Sequence, residues 1–265
     1  MVKETILVLG KTGMAGHMVF DYLESLGKYA VFGTSRDELN ADDFIIKIEK
    51  VLKEYNPQYI INCIGIINKY ADKNPELTKR INSIFPHLLA YLCIKNNWKL
   101  VHISTDCYLD DDIYGRSKFL GEVNDRQNLT VRTSIIGPEL KEGSGLFHWF
   151  MSQQIAVNGF SNAYWDGVTT LQLSKFIEGH IDSGNYTGIV DYRTKNSISK
   201  HDLIKLISEI FNKNIKIIED NRKVKDKRNF NPDVWCLKDY RMQLMELKNF
   251  MQGNKRYENY LQYKE

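Results

Sequence analysis

Apolar residues along this chain fall into two alternating patterns. Short, unbroken, β-branched runs at Thr5–Leu9, Ala30–Thr34, Gln58–Asn62, Leu100–Ser104 and Thr130–Arg132 read as strands. Between them, apolar positions recur at helical spacing over Ala15–Leu26, Asp42–Glu54, Leu77–Asn96 and Ile113–Asn124. Strand-helix repetition of this kind predicts right-handed crossovers and a parallel sheet with helices on both faces. Ile6–Leu9, Tyr59–Ile61 and Leu100–Ile103 are apolar throughout rather than alternating, as central strands buried on both sides require.

After about Gly137 the rhythm changes. A glycine-punctuated loop, Pro138 to Gly145, leads to an expected helix at Leu146–Asn158 and then a loop rich in Gly, Asn and aromatics from Gly159 to Gly167. Helices are expected at Thr170–Ile181, Ser199–Phe211 and Lys238–Met251, and strands at Thr187–Val190 and Ile215–Ile218. The pattern predicts a Rossmann-like, doubly wound parallel α/β sheet over residues 1–137. A smaller mixed α/β part follows over 138–252, with the chain free to cross between the two, and then a Tyr/Lys-rich tail over 253–265.

Composition narrows the class without naming a partner. The 265 residues are 43% apolar and 26% charged, with 17 Gly and 5 Pro, which excludes collagen-like and generally disordered chains. A net charge of +3 is too small for a nucleic-acid footprint. Cys63, Cys93, Cys107 and Cys236 form no C-x-x-C pair, and neither they nor the 6 histidines show metal-ligand spacing, so reduced thiols, a cytoplasmic setting and no metal are expected. The N-terminal residues lack the pattern of a signal peptide, and no apolar run approaches a membrane span.

Gly10-Lys11-Thr12-Gly13-Met14-Ala15-Gly16 follows the first strand and opens the first helix. There a helix N-terminus offers unpaired N–H groups and the positive end of its dipole, and glycines let a pyrophosphate approach the backbone. The spacing is G-x-x-G-x-x-G rather than G-x-G-x-x-G, but strand, turn and helix occur in the order that dinucleotide binding requires. Ser35 and Arg36 lie at the end of the second strand, where a cation neutralises the extra phosphate of NADP, and Lys11 supplies a second cation. That favours NADPH over NADH. Asp37 and Glu38 follow at once, and a shift of one residue in register reverses the preference.

Reduction of a ketone needs a proton donor beside the developing alkoxide. A tyrosine serves when a lysine ammonium on the same helix face, four residues on, stabilises its phenolate. Tyr-x-x-x-Lys occurs at Tyr91/Lys95, Tyr114/Lys118 and Tyr260/Lys264. The first pair lies inside the helix before the fourth strand, and the third lies in the tail. Only Tyr114 and Lys118 open the helix after His102-Ile-Ser-Thr-Asp106, so Ser104 or Thr105 is able to reach the same crevice and hydrogen-bond a substrate oxygen.

These residues resemble the extended short-chain dehydrogenase/reductases, and among them the dTDP-4-dehydrorhamnose reductase-like group. The matching segments are Gly10–Gly16, Ile60–Cys63, Asn82, Ile103–Asp106, Tyr114–Lys118 with Leu120–Glu122, and Val131–Ser134, collinear over about the first 137 residues. The resemblance implies a reductase of nucleotide-linked 4-keto-6-deoxy sugars working in polysaccharide biosynthesis. It makes Tyr114 the general acid, Lys118 the residue that binds the nicotinamide ribose and acidifies the tyrosine, and Thr105 the hydroxyl that orients the ketone. Asn62, Cys63 and Gly65 would line the cofactor, with Asn82 an active-site support on the substrate side. An epimerase or dehydratase holding NAD tightly, and a non-catalytic NADP-binding regulator, are alternatives on the same fold. A homodimer is compatible with either.

In the family the link between the Ser-Thr-Asp strand end and the catalytic tyrosine is usually much longer, whereas here Thr105 and Tyr114 are nine positions apart. The connection is either truly short or lacks a flexible piece. Tyr164 and Trp165, in the aromatic loop, are candidates to stack on a base or sugar, or else pack between the two parts. Arg222, in the Asn221–Arg228 segment with its five cations, is a candidate diphosphate ligand or part of a solvated loop.

Overall fold

The unbroken apolar runs become the middle of a seven-stranded parallel sheet. The computed structural model describes residues 3–35, 38, 44–141, 143–226, 228 and 231–261. In chain order the first half comprises β1 (Thr5–Leu9), α1 (Met14–Ser25), β2 (Ala30–Thr34), α2 (Phe44–Tyr55), β3 (Tyr59–Asn62), α3 (Asn68–Ala71), α4 (Pro75–Lys79), α5 (Phe85–Asn96), β4 (Lys99–Ile103), α6 (Ile113–Leu120) and β5 (Leu129–Arg132). Then come β6 (Ile135–Ile136), α7 (Leu146–Ser152), β7 (Ala156–Phe160), β8 (Ala163–Trp165), β9 (Val168–Thr169), α8 (Thr170–Ser183), β10 (Gly188–Thr194), β11 (Ile198–Ser199), α9 (Lys200–Ile210), β12 (Lys216–Asp220), β13 (Lys225–Asp226), β14 (Val234–Cys236), α10 (Tyr240–Met251) and α11 (Glu258–Leu261).

The sheet order is β14-β10-β5-β4-β3-β1-β2, with every neighbouring pair parallel. Ile6, Leu7, Val8 and Leu9 are all fully buried, so both faces of β1 are covered. Leu7, Leu9, Ile60 and Leu100 pack on one face with Ile48 and Leu52 of α2 and Phe85 and Leu89 of α5. The order reverses at β1, which lies between β2 and β3. Open α/β sheets bind ligands at such a reversal, at the carboxyl ends of the strands.

The chain divides into two compact units that interleave. The first holds Met1–Thr133 and Ser174–Asp191, the second Ser134–Leu173 and Tyr192–Glu265. The chain first passes from one unit to the other at 133, and each unit is made of two stretches. The return has a plain cause: Gly188–Asp191 of β10 pairs with Leu129–Arg132 of β5 and extends the sheet. In the first unit, Lys28 donates at 2.7 Å to both Glu178 and Asp182 of α8, and Tyr22 adds a bond to Glu178 at 2.6 Å.

In the second unit β8 pairs with β11 and β13, β7 with β12, and β6 with β9. The helix expected over Leu146–Asn158 ends at Ser152. Burial along Ala156–Phe160 alternates, a strand pattern, and these residues pair with Lys216–Asp220. Residues 253–261 are not a loose tail: Tyr257 is fully buried, and the Tyr260 hydroxyl donates to the Glu139 carbonyl at 2.8 Å.

The single helix expected over Leu77–Asn96 is broken by a π turn at Arg80–Ile84. Pro86 has no N–H to give the Asn82 carbonyl four residues back, so the regular ladder cannot run through this point. Gly121, just after α6, packs against that stretch: a Cβ there would run into the Asn82 carbonyl. Among the described residues no helix is long and apolar enough to cross a membrane.

Candidate active site

The glycine turn is a backbone cradle. Gly10 has φ +84°, a conformation glycine adopts without strain, and the N–H groups of Gly10 and Lys11 both donate to the Thr34 carbonyl, at 3.0 and 2.9 Å. That ties the turn to the end of β2. A Cβ on Gly16 would strike the Gly10 carbonyl, whereas one on Gly13 would meet only the Gly10 oxygen at 3.5 Å. Gly16 is thus needed for packing, and Gly13 borders open space. No side chain caps the first turn of α1, and the buried Thr34 hydroxyl has no hydrogen-bond partner among the described residues. The residues present fit a dinucleotide pyrophosphate: free helix-start amides, close backbone and room.

At the end of β2, the Ser35 N–H donates to Glu38 at 2.6 Å, and the Lys11 ammonium lies 3.4 Å from the same carboxylate. These two contacts hold the Glu38 carboxyl below its ordinary range. Lys11 is thus paired with an exposed acid at the surface. Arg36 lies outside the described residues.

Three residues assigned to the site from the sequence have their side chains engaged within the protein. Asn62, fully buried, accepts from the Ile64 N–H at 3.1 Å and contacts His102 Nδ1 at 3.1 Å, so it reaches a cofactor only through its backbone. Asn82, also fully buried, accepts from the Ile66 N–H at 2.8 Å and donates to the Ile66 carbonyl at 2.9 Å and the Ser117 hydroxyl at 3.0 Å. It braces the loop after β3 against α6 and has no amide hydrogen left for substrate. Ser104 donates its hydroxyl to Glu122 at 2.9 Å and is likewise committed.

Around Lys118 these supports converge. Its ammonium is buried and donates to the Ile103 carbonyl at 2.6 Å. Burial lowers its pKa to about 8, against the opposing pull of Glu122 and Cys63. Packing around the Cys63 thiol pushes that group up to about 12. A Cβ on Gly65 would stand 3.5 Å from Asn82 Oδ1 and 3.7 Å from Lys118 Nζ, so Gly65 lies beside the ammonium.

Tyr114 lies one turn before Lys118, at the start of α6. Burial raises its phenol to about 12, and the Thr105 side chain opposes the shift. Tyr114 lines a cavity of about 300 Å³ together with Asn68, Lys69, Asp72 and Asp112. Asn68 and Lys69, on α3, carry no motif and were not foreseen from the sequence.

The short connection closes cleanly. Thr105 accepts from the Cys107 N–H at 3.1 Å and starts a 3-10 turn over Asp106–Leu109, and Asp112 caps α6 by accepting from the Gly115 N–H at 2.6 Å. The turn packs on Gly115, where a Cβ would strike the carbonyls of Cys107 and Asp110. Nine positions therefore suffice to bring Thr105 to Tyr114.

In the second unit the expected aromatic pair separates. Trp165 is buried, donates to the Ser134 hydroxyl at 2.8 Å and packs 5.5 Å from the Tyr240 ring, so it is a core residue and not a stacking platform. Tyr164 is half-buried, with the Arg228 guanidinium 4.4 Å from its ring centre. Arg222 is paired bidentately with Asp220, at 2.9 and 2.7 Å.

A family described as the RmlD substrate binding domain has a model that matches residues 4–212. The chain belongs to this family. A dTDP-4-dehydrorhamnose reductase of Mycolicibacterium smegmatis is 27% identical over 142 residues, 46% of this chain and 41% of that protein, so the matched stretch spans about two fifths of this relative. Two solved structures share the fold. The dTDP-4-dehydrorhamnose reductase of Bacillus anthracis, in complex with NADP, superposes with a TM-score of 0.73 at 20% identity, over 98% of each chain. The Yersinia enterocolitica enzyme gives 0.72 at 19%, over 94% of this chain and 99% of that one.

Proposed function

We propose that this protein is an NADPH-dependent reductase of a nucleotide-linked 4-keto-6-deoxy sugar, with Tyr114 as the proton donor. The observation that carries the reading is the Tyr114 phenol: protonated at neutral pH, under the influence of the Thr105 side chain, lining a cavity, and one helical turn from a buried lysine. Family membership and the NADP complex of the Bacillus anthracis relative support it.

NADPH, when bound, supplies the hydride. The chain does the rest. Gly10, Gly13 and the first turn of α1 would hold the pyrophosphate, and Lys118 would hold the nicotinamide ribose. Thr105 orients the ketone oxygen. Tyr114 gives its proton to that oxygen as charge develops there, and the ammonium of Lys118 stabilises the phenolate left behind.

The test is turnover of NADPH against dTDP-, UDP- and GDP-linked 4-keto sugars. Stoichiometric NADPH oxidation with at least one of them is the expected result; none with all three overturns the reading. One observation favours a second reading. Glu38, at the end of β2, is the kind of acid that accepts bonds from the ribose hydroxyls of NAD, as an epimerase retaining its cofactor would need. NAD found in the purified protein by mass analysis would decide for it.

A further inference from the structure

Arg132, at the end of β5, uses both the edge and the face of its guanidinium. The edge meets Glu122 bidentately, Nε at 2.7 Å and the second nitrogen at 2.5 Å. The face lies 3.8 Å from the centre of the Tyr108 ring. Glu122, whose side chain is only 2% exposed, also accepts the Ser104 hydroxyl at 2.9 Å. One buried carboxylate thus joins the ends of β4 and β5, and the guanidinium carries the tie to Tyr108.

Tyr108 sits in the Asp106–Leu109 turn, the first half of the connection from Thr105 to Tyr114. Asp112 and Gly115 secure the second half. A connection this short has no core of its own and stays where its neighbours hold it. Charge pairing alone would be met by lysine, but a bidentate edge together with a stacked face needs the planar fork of arginine.

We propose that Glu122, Arg132 and Tyr108 form a clamp that positions the Thr105 hydroxyl for the Tyr114 phenol. Arg132 is its centre, a positioning residue and not a substrate ligand. The inference rests on the reductase reading and adds to it what fixes the geometry of an unusually short catalytic connection.

Tyr108→Ala, Tyr108→Phe and Arg132→Lys in the full-length protein test it. Three readouts are needed: kcat and KM with NADPH and a 4-keto sugar nucleotide, the Kd of NADPH by fluorescence, and amide hydrogen exchange over residues 104–112. Tyr108→Ala and Arg132→Lys are expected to lower kcat about ten- to a hundred-fold, as a displacement of about 1 Å at a reacting group does, with NADPH Kd unchanged and exchange faster only in that segment. Tyr108→Phe keeps the ring and restores kcat. Wild-type kcat in Tyr108→Ala, or equal loss in Tyr108→Phe, overturns the clamp. Should Arg132→Lys fail to fold, Tyr108→Ala on its half-buried turn still decides. If the wild-type protein reduces no 4-keto sugar nucleotide, the reductase reading fails, and the clamp stands or falls on whether exchange over 104–112 quickens in Tyr108→Ala.

Discussion

Lys118 gives its ammonium to the carbonyl oxygen of Ile103 at 2.6 Å, anchoring the cation at the end of the strand that carries Thr105 two residues further on. Ammonium, hydroxyl and phenol are thereby held from one strand end and one helix start, which are rigid elements. The bond also keeps a buried charge satisfied in a place where burial pushes its pKa down to about 8.

Activity should therefore weaken on the alkaline side. With Lys118 near 8 in the free protein, kcat/KM for the sugar substrate falls above about pH 8 as the ammonium is lost. Glu122 favours the charged lysine, so Glu122→Gln moves this limb to lower pH. A limb that stays in place in the variant's pH profile would remove Glu122 from the electrostatics of Lys118.

The same shift has a stability consequence. A lysine whose pKa drops from 10.5 to about 8 on folding binds its proton more tightly in the unfolded chain, so its burial penalty is complete below pH 8 and is relieved as pH rises to 10.5. Unfolding free energies of wild type and Lys118→Met should converge in wild type's favour by about 3 kcal/mol across that window. Comparing the two proteins cancels the thiols and phenols that titrate in the same range. A pH-independent difference would mean that the ammonium is hydrated.

Asn82 braces the loop after β3 through both groups of its amide. Asn82→Ala strips the Ile66 N–H and carbonyl of their partners and should destabilise the protein by about 2–3 kcal/mol in urea unfolding. Loss of turnover without loss of stability would instead place Asn82 in contact with a ligand.

The two glycines of the cradle separate packing from binding. Gly16→Ala forces a methyl into the Gly10 carbonyl and should lower both stability, by about 1–3 kcal/mol, and NADPH affinity. Gly13→Ala faces open space, folds normally and weakens NADPH binding about ten-fold or more, a difference of about 1.4 kcal/mol. Calorimetry together with thermal denaturation reads both, and tight NADPH binding by Gly13→Ala would contradict the pyrophosphate site.

Much of this was readable from residue order. The runs at Thr5–Leu9 and Ala30–Thr34 emerge as strands with those bounds; the first, buried on both faces, leaves an unmistakable apolar block, whereas the second is an edge strand and mostly half-buried. Tyr114 and Lys118 share a helix as their spacing implies. What could not be read depends on partners distant in sequence. The π turn at Arg80–Ile84 sits within a helical pattern and goes with Pro86 and with Gly121 packed on Asn82. Ala156–Phe160 becomes a strand because Lys216–Asp220 pairs with it. Ser104 and Trp165 look like ligand residues by position, but Glu122, Ser134 and Tyr240 claim them in the fold.

The most direct measurement is the turnover of Tyr114→Phe, with NADPH and the best 4-keto sugar nucleotide, beside its Kd for NADPH. Removing the one hydroxyl that carries the proton should lower kcat at least about a hundred-fold while the Kd stays within about two-fold of wild type. A Tyr114→Phe protein that turns over at the wild-type rate would contradict the account at its centre.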